Sequence, residues 1–230
     1  MDKFVVIQSN VGEGTWRRQE KNLQNLFNNE LIPSVKDYCY RHKYDHYVFS
    51  HRIKILEQLR NKYPNHGDDA YFFHNILSLL EIKDNDFDYV LFLDADFHIR
   101  KDAKPLPETN TIMIYDCPHY KDLSYRSKPL FEKVWDPNFD FTILYGCMYL
   151  MTKDLALKLA YHVKDRIKRN LIKNTNFIIN DEIVIAEWMK NENIQAEYFN
   201  NYFKLGQRNP FWHIGGKEKY KSWLNGKQDR

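Results

Sequence analysis

Two carboxylates separated by one residue give the chain its clearest chemical signal. Asp94 and Asp96 follow directly on the apolar run Tyr89–Leu93, which Asp88 precedes. A short and nearly unbroken apolar run is typical of a central parallel strand that is buried on both faces of its sheet. Ligands bind at the carboxyl edge of such sheets. The two acids are therefore expected at a ligand-binding edge.

The spacing of these acids suits a divalent cation. If the strand continues through them, residues i and i+2 point to the same side, so Asp94 and Asp96 converge on one ion. Carboxylate oxygens are ligands that Mg²⁺ and Mn²⁺ accept. The alternative is that both aspartates only end the strand and solvate a turn. The apolar run before them favours the metal site.

A second segment with binding chemistry lies near the end of the chain. His213 can supply a nitrogen ligand, although a histidine beside Trp212 is more often a packed aromatic residue. Gly215 and Gly216 let the backbone approach a phosphate closely, and Lys217 can neutralise diphosphate oxygens as a compact charge. Together with the two acids, this segment supplies the complementary half of a metal–diphosphate site.

The elements that must position these residues alternate between short β-rich runs and helix-length segments. Strands are predicted at residues 4–9, 45–50, 88–93, 111–115, 141–151 and 196–203. Helices are predicted from the loop at 10–14 to about residue 29, from residue 33, at 68–82, at 152–173 and at 181–190, with the last 27 residues irregular. This order predicts an α/β fold with a mainly parallel sheet.

The composition limits the class of protein. The 230 residues fit one domain, and 43% of them are hydrophobic, which is ample for a core. The net charge of +3 is too small for a nucleic-acid binder. No run approaches the length of a membrane span, and no signal peptide is recognisable. Three cysteines without CxxC spacing suit a reducing compartment, so the sequence predicts a cytoplasmic protein, of a kind that a virus or bacterium could encode.

The acidic and histidine segments together resemble the A-type nucleotide-sugar glycosyltransferases with a DxD motif. Within that class, residues 91–96 and 213–217 are similar to the glycogenin-like and blood-group-type retaining families. Three further segments follow in the same order. Residues 4–10 are similar to the strand that lines the nucleobase and ribose pocket, residues 145–150 to the strand under the donor sugar, and residues 180–182 to the acidic helix start that faces the reacting carbon.

This resemblance implies a fold and an activity. The fold is a single Rossmann-like nucleotide-diphospho-sugar transferase domain over residues 1–230, with a nucleotide-binding part at about 1–100 and a donor-sugar and acceptor part at about 101–217. The activity is a metal-dependent transfer of a hexose from a nucleotide sugar, with UDP favoured, to a glycan, glycoprotein or other acceptor, with retention. The implied cofactor is Mn²⁺ (or Mg²⁺).

The resemblance also implies residue roles. Metal binding falls to Asp94, Asp96 and His213, donor binding to Gln8, Ser9, Asn10, Asp94, Gly215 and Lys217, and catalysis to Asp181 and Glu182. Strand-end residues such as the first three donor contacts also form turns, and an acidic pair at a helix start is also an N-cap with its first turn. Lys217 stands two residues after Gly215, whereas the glycogenin-like ending has three and continues with Pro-Trp.

Three other functions use part of this pattern. A haloacid-dehalogenase-type phosphatase also has DxD after an apolar strand, but near the N-terminus and with Thr or Val at the place of His98. A non-catalytic protein that binds nucleotide sugars or carbohydrates would not need a complete set of metal ligands. A nucleotidyltransferase would carry a glycine-rich basic loop, of which Gly12 and Gly14 with Arg17 are a faint version.

Overall fold

The computed structural model describes residues 2–10, 25–63, 73–114, 148–172, 181–199 and 211–213. The strands are β1 Phe4–Ser9, β2 Asp45–Phe49, β3 Tyr89–Leu93, β4 Phe97–Ile99, β5 Ile112–Ile114, β6 Met148–Thr152, β7 Ala196–Tyr198 and β8 Phe211–His213. The helices are α1 Ile32–His42, α2 Lys54–Lys62, α3 His74–Ser78, α4 Lys153–Ile172 and α5 Asp181–Asn191. A π-helical turn, Phe27–Leu31, precedes α1, and a 3₁₀ turn, Leu79–Glu81, follows α3.

Six strands form one sheet in the order β2-β1-β3-β6-β5-β7. β1 pairs in parallel with β2 and with β3. β6 runs antiparallel to both of its neighbours, and β5 and β7 are again parallel to each other. The predicted α/β fold with a mainly parallel sheet is therefore confirmed. The expectation that β3 has parallel neighbours on both sides holds for β1 and is wrong for β6.

The sheet is covered on both faces, which explains its apolar strands. In β1, Val5 and Ile7 face one core with α2, α3, α4 and α5, whereas Phe4 and Val6 face a second core with α1, β4 and β8. β3 alternates in the same way, and residues 90–93 are all buried. Because each strand is buried on both sides, a slip of one residue would exchange the two side-chain sets between differently shaped cores.

Helix α4 begins and ends where the sequence predicts. The Oγ1 of Thr152 accepts a hydrogen bond from the backbone N–H of Leu155 at 3.4 Å, as an N-cap does. At the other end, the Nζ of Lys62 donates to the carbonyl of Asn170 at 3.1 Å, where a positive charge favours the helix dipole. Among the described residues no helix is both long and apolar enough to cross a bilayer.

Strands β4 and β8 were not predicted, and they form a separate two-stranded ribbon. The antiparallel register places Phe97 opposite His213 and Ile99 opposite Phe211. The prediction that the last 27 residues are irregular is therefore wrong for residues 211–213. Three-residue strands are too short to show alternation, and the two strands are far apart in the sequence.

The ribbon is anchored in the second core by apolar side chains. Phe211 is fully buried, and its ring lies 5.5 Å from that of Tyr38 in α1 and 6.3 Å from that of Phe199. The backbone N–H of Ile99 also donates to the Oγ of Ser34 in α1 at 3.1 Å. Helix α1 thus holds the ribbon in place.

We expect the Phe211→Ala variant to lose about 3–5 kcal/mol of unfolding free energy, because it leaves a cavity between α1 and the ribbon. Urea denaturation followed by circular dichroism measures this loss. Phe211→Leu, which keeps most of the volume, should lose clearly less. A loss below about 1 kcal/mol for the alanine variant would show that β8 is not anchored through this ring.

Candidate functional site

The ends of β1 and β3 lie side by side. These strands are parallel, and Gln8 pairs with Leu93, so Ser9 and Asp94, the next residue of each chain segment, lie at the same edge of the sheet. Asn10 stays beside β2, because its backbone N–H donates to the carbonyl of Phe49 at 2.8 Å. The structure therefore brings the predicted donor-binding residues of β1 together with the acidic pair.

The acids lie in a turn and not in the strand. β3 ends at Leu93, and the backbone N–H of Phe97 donates to the carbonyl of Asp94 at 3.3 Å, closing a turn over residues 94–97. The strand-alternation argument for the convergence of the two carboxylates is therefore wrong. Asp94 is half-buried and Asp96 is only 4% exposed, so an ion bound by Asp96 would be held largely away from water.

An apolar contact holds the middle of this turn. Ala95 packs against the small cluster of Leu26, Phe27 and Leu31 at the π-helical turn before α1. Because Ala95 stands between the two acids, this contact limits how far the carboxylate-bearing backbone can move.

Gln8 links the turn to the edge strand β2. Its side chain is fully buried, and its Nε2 donates to the carbonyl of Asp94 at 3.1 Å. Because a carbonyl can only accept, the Oε1 of Gln8 must face the Nε2 of His46 at 2.9 Å, and that nitrogen must carry the proton. Burial and the nearby Lys36 lower the pKa of His46 to about 4, so this imidazole is neutral at physiological pH.

A second amide contacts the preceding carbonyl, and the sequence gave no prediction for it. The Nδ2 of Asn75 in α3 donates to the carbonyl of Leu93 at 3.2 Å. The only sequence signal is a polar residue between the buried residues His74 and Ile76 of an otherwise apolar segment. Side-chain amides thus bind the carbonyls of both Leu93 and Asp94.

Ser9 is oriented by a buried histidine. The Nε2 of His74 donates to the carbonyl of His51 at 2.8 Å, so its Nδ1 accepts the hydroxyl proton of Ser9 at 2.5 Å. Burial is the main cause that lowers the pKa of His74. Ser9 therefore presents acceptor lone pairs to a ligand, and His74 contributes no positive charge at this edge.

The ribbon brings the backbone of His213 close to the acids. His213 lies opposite Phe97, the residue that follows Asp96. Opposed residues of an antiparallel pair have Cα atoms about 4.5–5.5 Å apart, so the Cα atoms of His213 and Asp96 lie within roughly 9 Å of each other. Only the backbone of His213 is described, and Gly215 and Lys217 lie outside the described residues.

The predicted catalytic acids begin a helix, as expected. Asp181 and Glu182 are the first two residues of α5, and their side chains are not described. Further along α5, Glu187 forms an ion pair with Arg166 of α4 through Oε2 and Nε at 3.1 Å. Burial raises the pKa of Glu187 above its ordinary value. This pair ties the helix that carries the predicted acids to α4.

The chemistry of the acids fits a hard divalent cation. Two carboxylates supply oxygen ligands, and a histidine nitrogen would favour Mn²⁺ over Mg²⁺. Where side chains are described, no group of three His, Cys, Asp or Glu residues is close enough to hold a metal. The register brings the backbone of His213, the third predicted ligand, near the two acids.

A cleft of about 890 Å³ lies at the other end of the strands. Its lining includes Phe4, Tyr44, Arg41 and Glu108. Phe4 is four residues before Gln8 in β1, about 13 Å along the strand. This cleft carries mixed charges and does not include the acidic turn.

The low pKa of His46 predicts an acid-sensitive contribution to stability. Because the folded protein holds His46 neutral to about pH 4, whereas the ordinary pKa is 6.5, the unfolded chain binds more protons between these values. Stability is therefore lost as pH falls through this window, by on the order of 3 kcal/mol at most. We expect the stability gap between wild type and His46→Asn, measured by urea denaturation, to shrink from pH 7 to pH 4. A gap independent of pH would contradict the neutral imidazole.

No family model matches the chain, and no curated protein matches it. Among solved structures, the chain is similar to a glycosyltransferase involved in glycosylation of the major capsid of PBCV-1, at 11% identity over 85% of this chain and 80% of that one, with a TM-score of 0.45. It is also similar to a mutant of Drosophila β1,4-galactosyltransferase 7 in complex with manganese, UDP-Gal and xylobiose, at 13% identity over 95% and 74% of the two chains, with a TM-score of 0.43. A third is the catalytic domain of the same Drosophila enzyme with xylobiose, at 12% identity over 94% and 72%, with a TM-score of 0.44.

Proposed function

We propose that the chain is a metal-dependent glycosyltransferase that moves a hexose from a nucleotide sugar, with UDP favoured, to a glycan, glycoprotein or other acceptor. The observation that carries this proposal is the pairing of β4 with β8. That pairing brings the backbone of His213 beside the turn that holds Asp94 and Asp96. The sequence resemblance ties these same two segments to one metal–diphosphate site.

In this proposal Asp94, Asp96 and His213 hold a Mn²⁺ (or Mg²⁺) ion. A bound ion of this kind supplies positive charge that offsets the negative charge growing on the leaving diphosphate. Gly215 lets the backbone approach the phosphates, and Lys217 adds a second positive partner. Both residues follow β8 within four positions in the sequence.

The nucleotide is proposed to bind at the end of β1. Ser9 donates its proton to His74, so it would accept a hydrogen bond from a donor group of the nucleotide, such as a ribose hydroxyl. Asn10 continues the same strand edge. Gln8 is fully buried and contacts the Asp94 carbonyl, so we assign it a donor-binding role that acts through the acidic turn.

Asp181 and Glu182 are proposed to lie on the sugar side, where one of them positions the donor sugar or stabilises an oxocarbenium-like state. Retention of configuration is proposed by analogy with the resembled families. The division into a nucleotide part at about 1–100 and a donor-sugar and acceptor part at about 101–217, within one domain, belongs to the same proposal.

The alternative functions make different demands on these residues. A phosphatase would use Asp94 as a nucleophile and would gain nothing from His213. A non-catalytic binder of nucleotide sugars would keep the pocket without turnover. Both are distinguished by the experiments below.

The first test is calorimetric titration of UDP with and without Mn²⁺. We expect wild-type binding to need Mn²⁺, and Asp96→Asn and His213→Ala each to weaken binding at least tenfold, because each removes a ligand of the ion. Asp84→Asn, an exposed surface acid paired with Lys83, is the matched control and should bind as the wild type does. Binding of neither UDP nor GDP by wild type in any metal would overturn the proposal.

The second test separates catalysis from binding. We expect Asp181→Asn or Glu182→Gln to lower the rate of sugar release from the preferred UDP-sugar at least 100-fold, with UDP affinity unchanged, because the acid acts on the sugar and not on the diphosphate. The measurement is sugar release and transfer over a panel of UDP-sugars. Full activity in both variants would remove the acids from the mechanism, and binding without turnover in the wild type would favour the non-catalytic binder.

A further inference from the structure

β3 loses its backbone partners abruptly at the edge where the acids lie. Leu93 is its last paired residue on both sides, opposite Gln8 of β1 and opposite Met148 of β6. The next residues enter the turn. Buried backbone carbonyls need donors. The side-chain amide of Asn75 donates to the Leu93 carbonyl. The Asp94 carbonyl accepts from the Gln8 side chain as well as from the backbone N–H of Phe97.

The side-chain amide of Gln8 is held by the pairing of its strand with two neighbours and by a hydrogen bond to His46. Its backbone belongs to β1, which pairs with β2 and with β3, so its position is set by two registers. Its Oε1 is bound by His46, which leaves Nε2 directed at the Asp94 carbonyl. Because Gln8 is buried in a strand that is paired on both sides, its side-chain amide opposes movement of the turn that it contacts.

The side-chain amide of Asn75 approaches the Leu93 carbonyl from helix α3. In the same helix, Ile76 and Leu77 are buried in the first core, and His74 is buried as well. Ala95 packs on the third, small cluster before α1. Three consecutive residues are therefore contacted from separate parts of the fold: Leu93 from α3, Asp94 from β1, and Ala95 from the π-helical turn.

We infer that Gln8 and Asn75 are positioning residues that clamp the Leu93 and Asp94 carbonyls and so fix the direction of the metal-binding carboxylates. This inference rests on the proposed function, because it assigns the clamp to the proposed metal site. Neither amide needs to touch the ion or the nucleotide. Groups that orient metal ligands without binding the metal commonly change affinity by about 10–100-fold when they are removed.

The variants Gln8→Met and Asn75→Leu remove the donors while keeping approximate size. Thr109→Val is the matched control, because Thr109 is also buried and hydrogen-bonded, to Thr111 and Glu197 at the far part of the sheet. His46→Leu is a milder variant on the edge strand, which frees the Gln8 Oε1 without changing the turn. It keeps the inference testable if Gln8→Met does not fold.

The first measurement is Mn²⁺ affinity in the presence of UDP, by calorimetry and by the electron paramagnetic resonance signal of the free ion. We expect about 10–100-fold weaker binding in Gln8→Met and Asn75→Leu, a smaller loss in His46→Leu, and no change in Thr109→Val. Urea denaturation of each variant shows whether affinity follows the clamp or merely follows stability.

The second measurement uses the metal-free protein. Hydrogen exchange at the amide of Phe97, which donates to the Asp94 carbonyl, should become faster in the clamp variants than in Thr109→Val of similar stability. If the wild type binds Mn²⁺ and UDP and the clamp variants bind equally well, the inference is overturned and the proposed function stands. If the wild type binds neither, the proposed function fails, and the inferred role of Gln8 and Asn75 at a metal site fails as well.

Discussion

The parallel pairing of β1 with β3 is the constraint on which the site depends. Both strands are buried on both faces, so their register is fixed by two cores at once. Gln8 lies opposite Leu93, and the two strands therefore leave the sheet at one edge. The polar end of β1 and the acidic turn after β3 are neighbours in this register, and a slip of one residue would exchange the apolar side chains between the two cores.

A strand that ends in a buried place leaves backbone carbonyls that need donors, and here side-chain amides supply them. His46 and His74 orient Gln8 and Ser9, and burial lowers the pKa of both imidazoles. Both rings therefore act as neutral hydrogen-bonding groups. A positively charged ring in either place would compete electrostatically with a cation for the acids, so the neutral rings are compatible with the proposed cation site.

The parts of this arrangement that were predictable from sequence are those with a local signal. The apolar run before Asp94 identified β3 and its edge, and the spacing and cap of residues 152–173 identified α4. The turn over residues 94–97 has no signal in the alternation of the sequence, because alternation does not show where strand pairing stops. Asn75 carried no signal of its own, since its role comes from a carbonyl on another element.

Local sequence patterns do not predict the β4–β8 ribbon for a related reason, since its two short strands pair only with each other. Its anchors are nevertheless apolar, namely Phe97, Ile99 and Phe211 in the second core. An anchor of this kind does not depend on a bound ion, so the fold alone can hold the backbone of His213 near Asp96. The chain entropy of bringing distant segments together is then lost on folding and not on binding. A proposed ligand set drawn from the sheet and from the end of the chain can thus be assembled before any ion arrives.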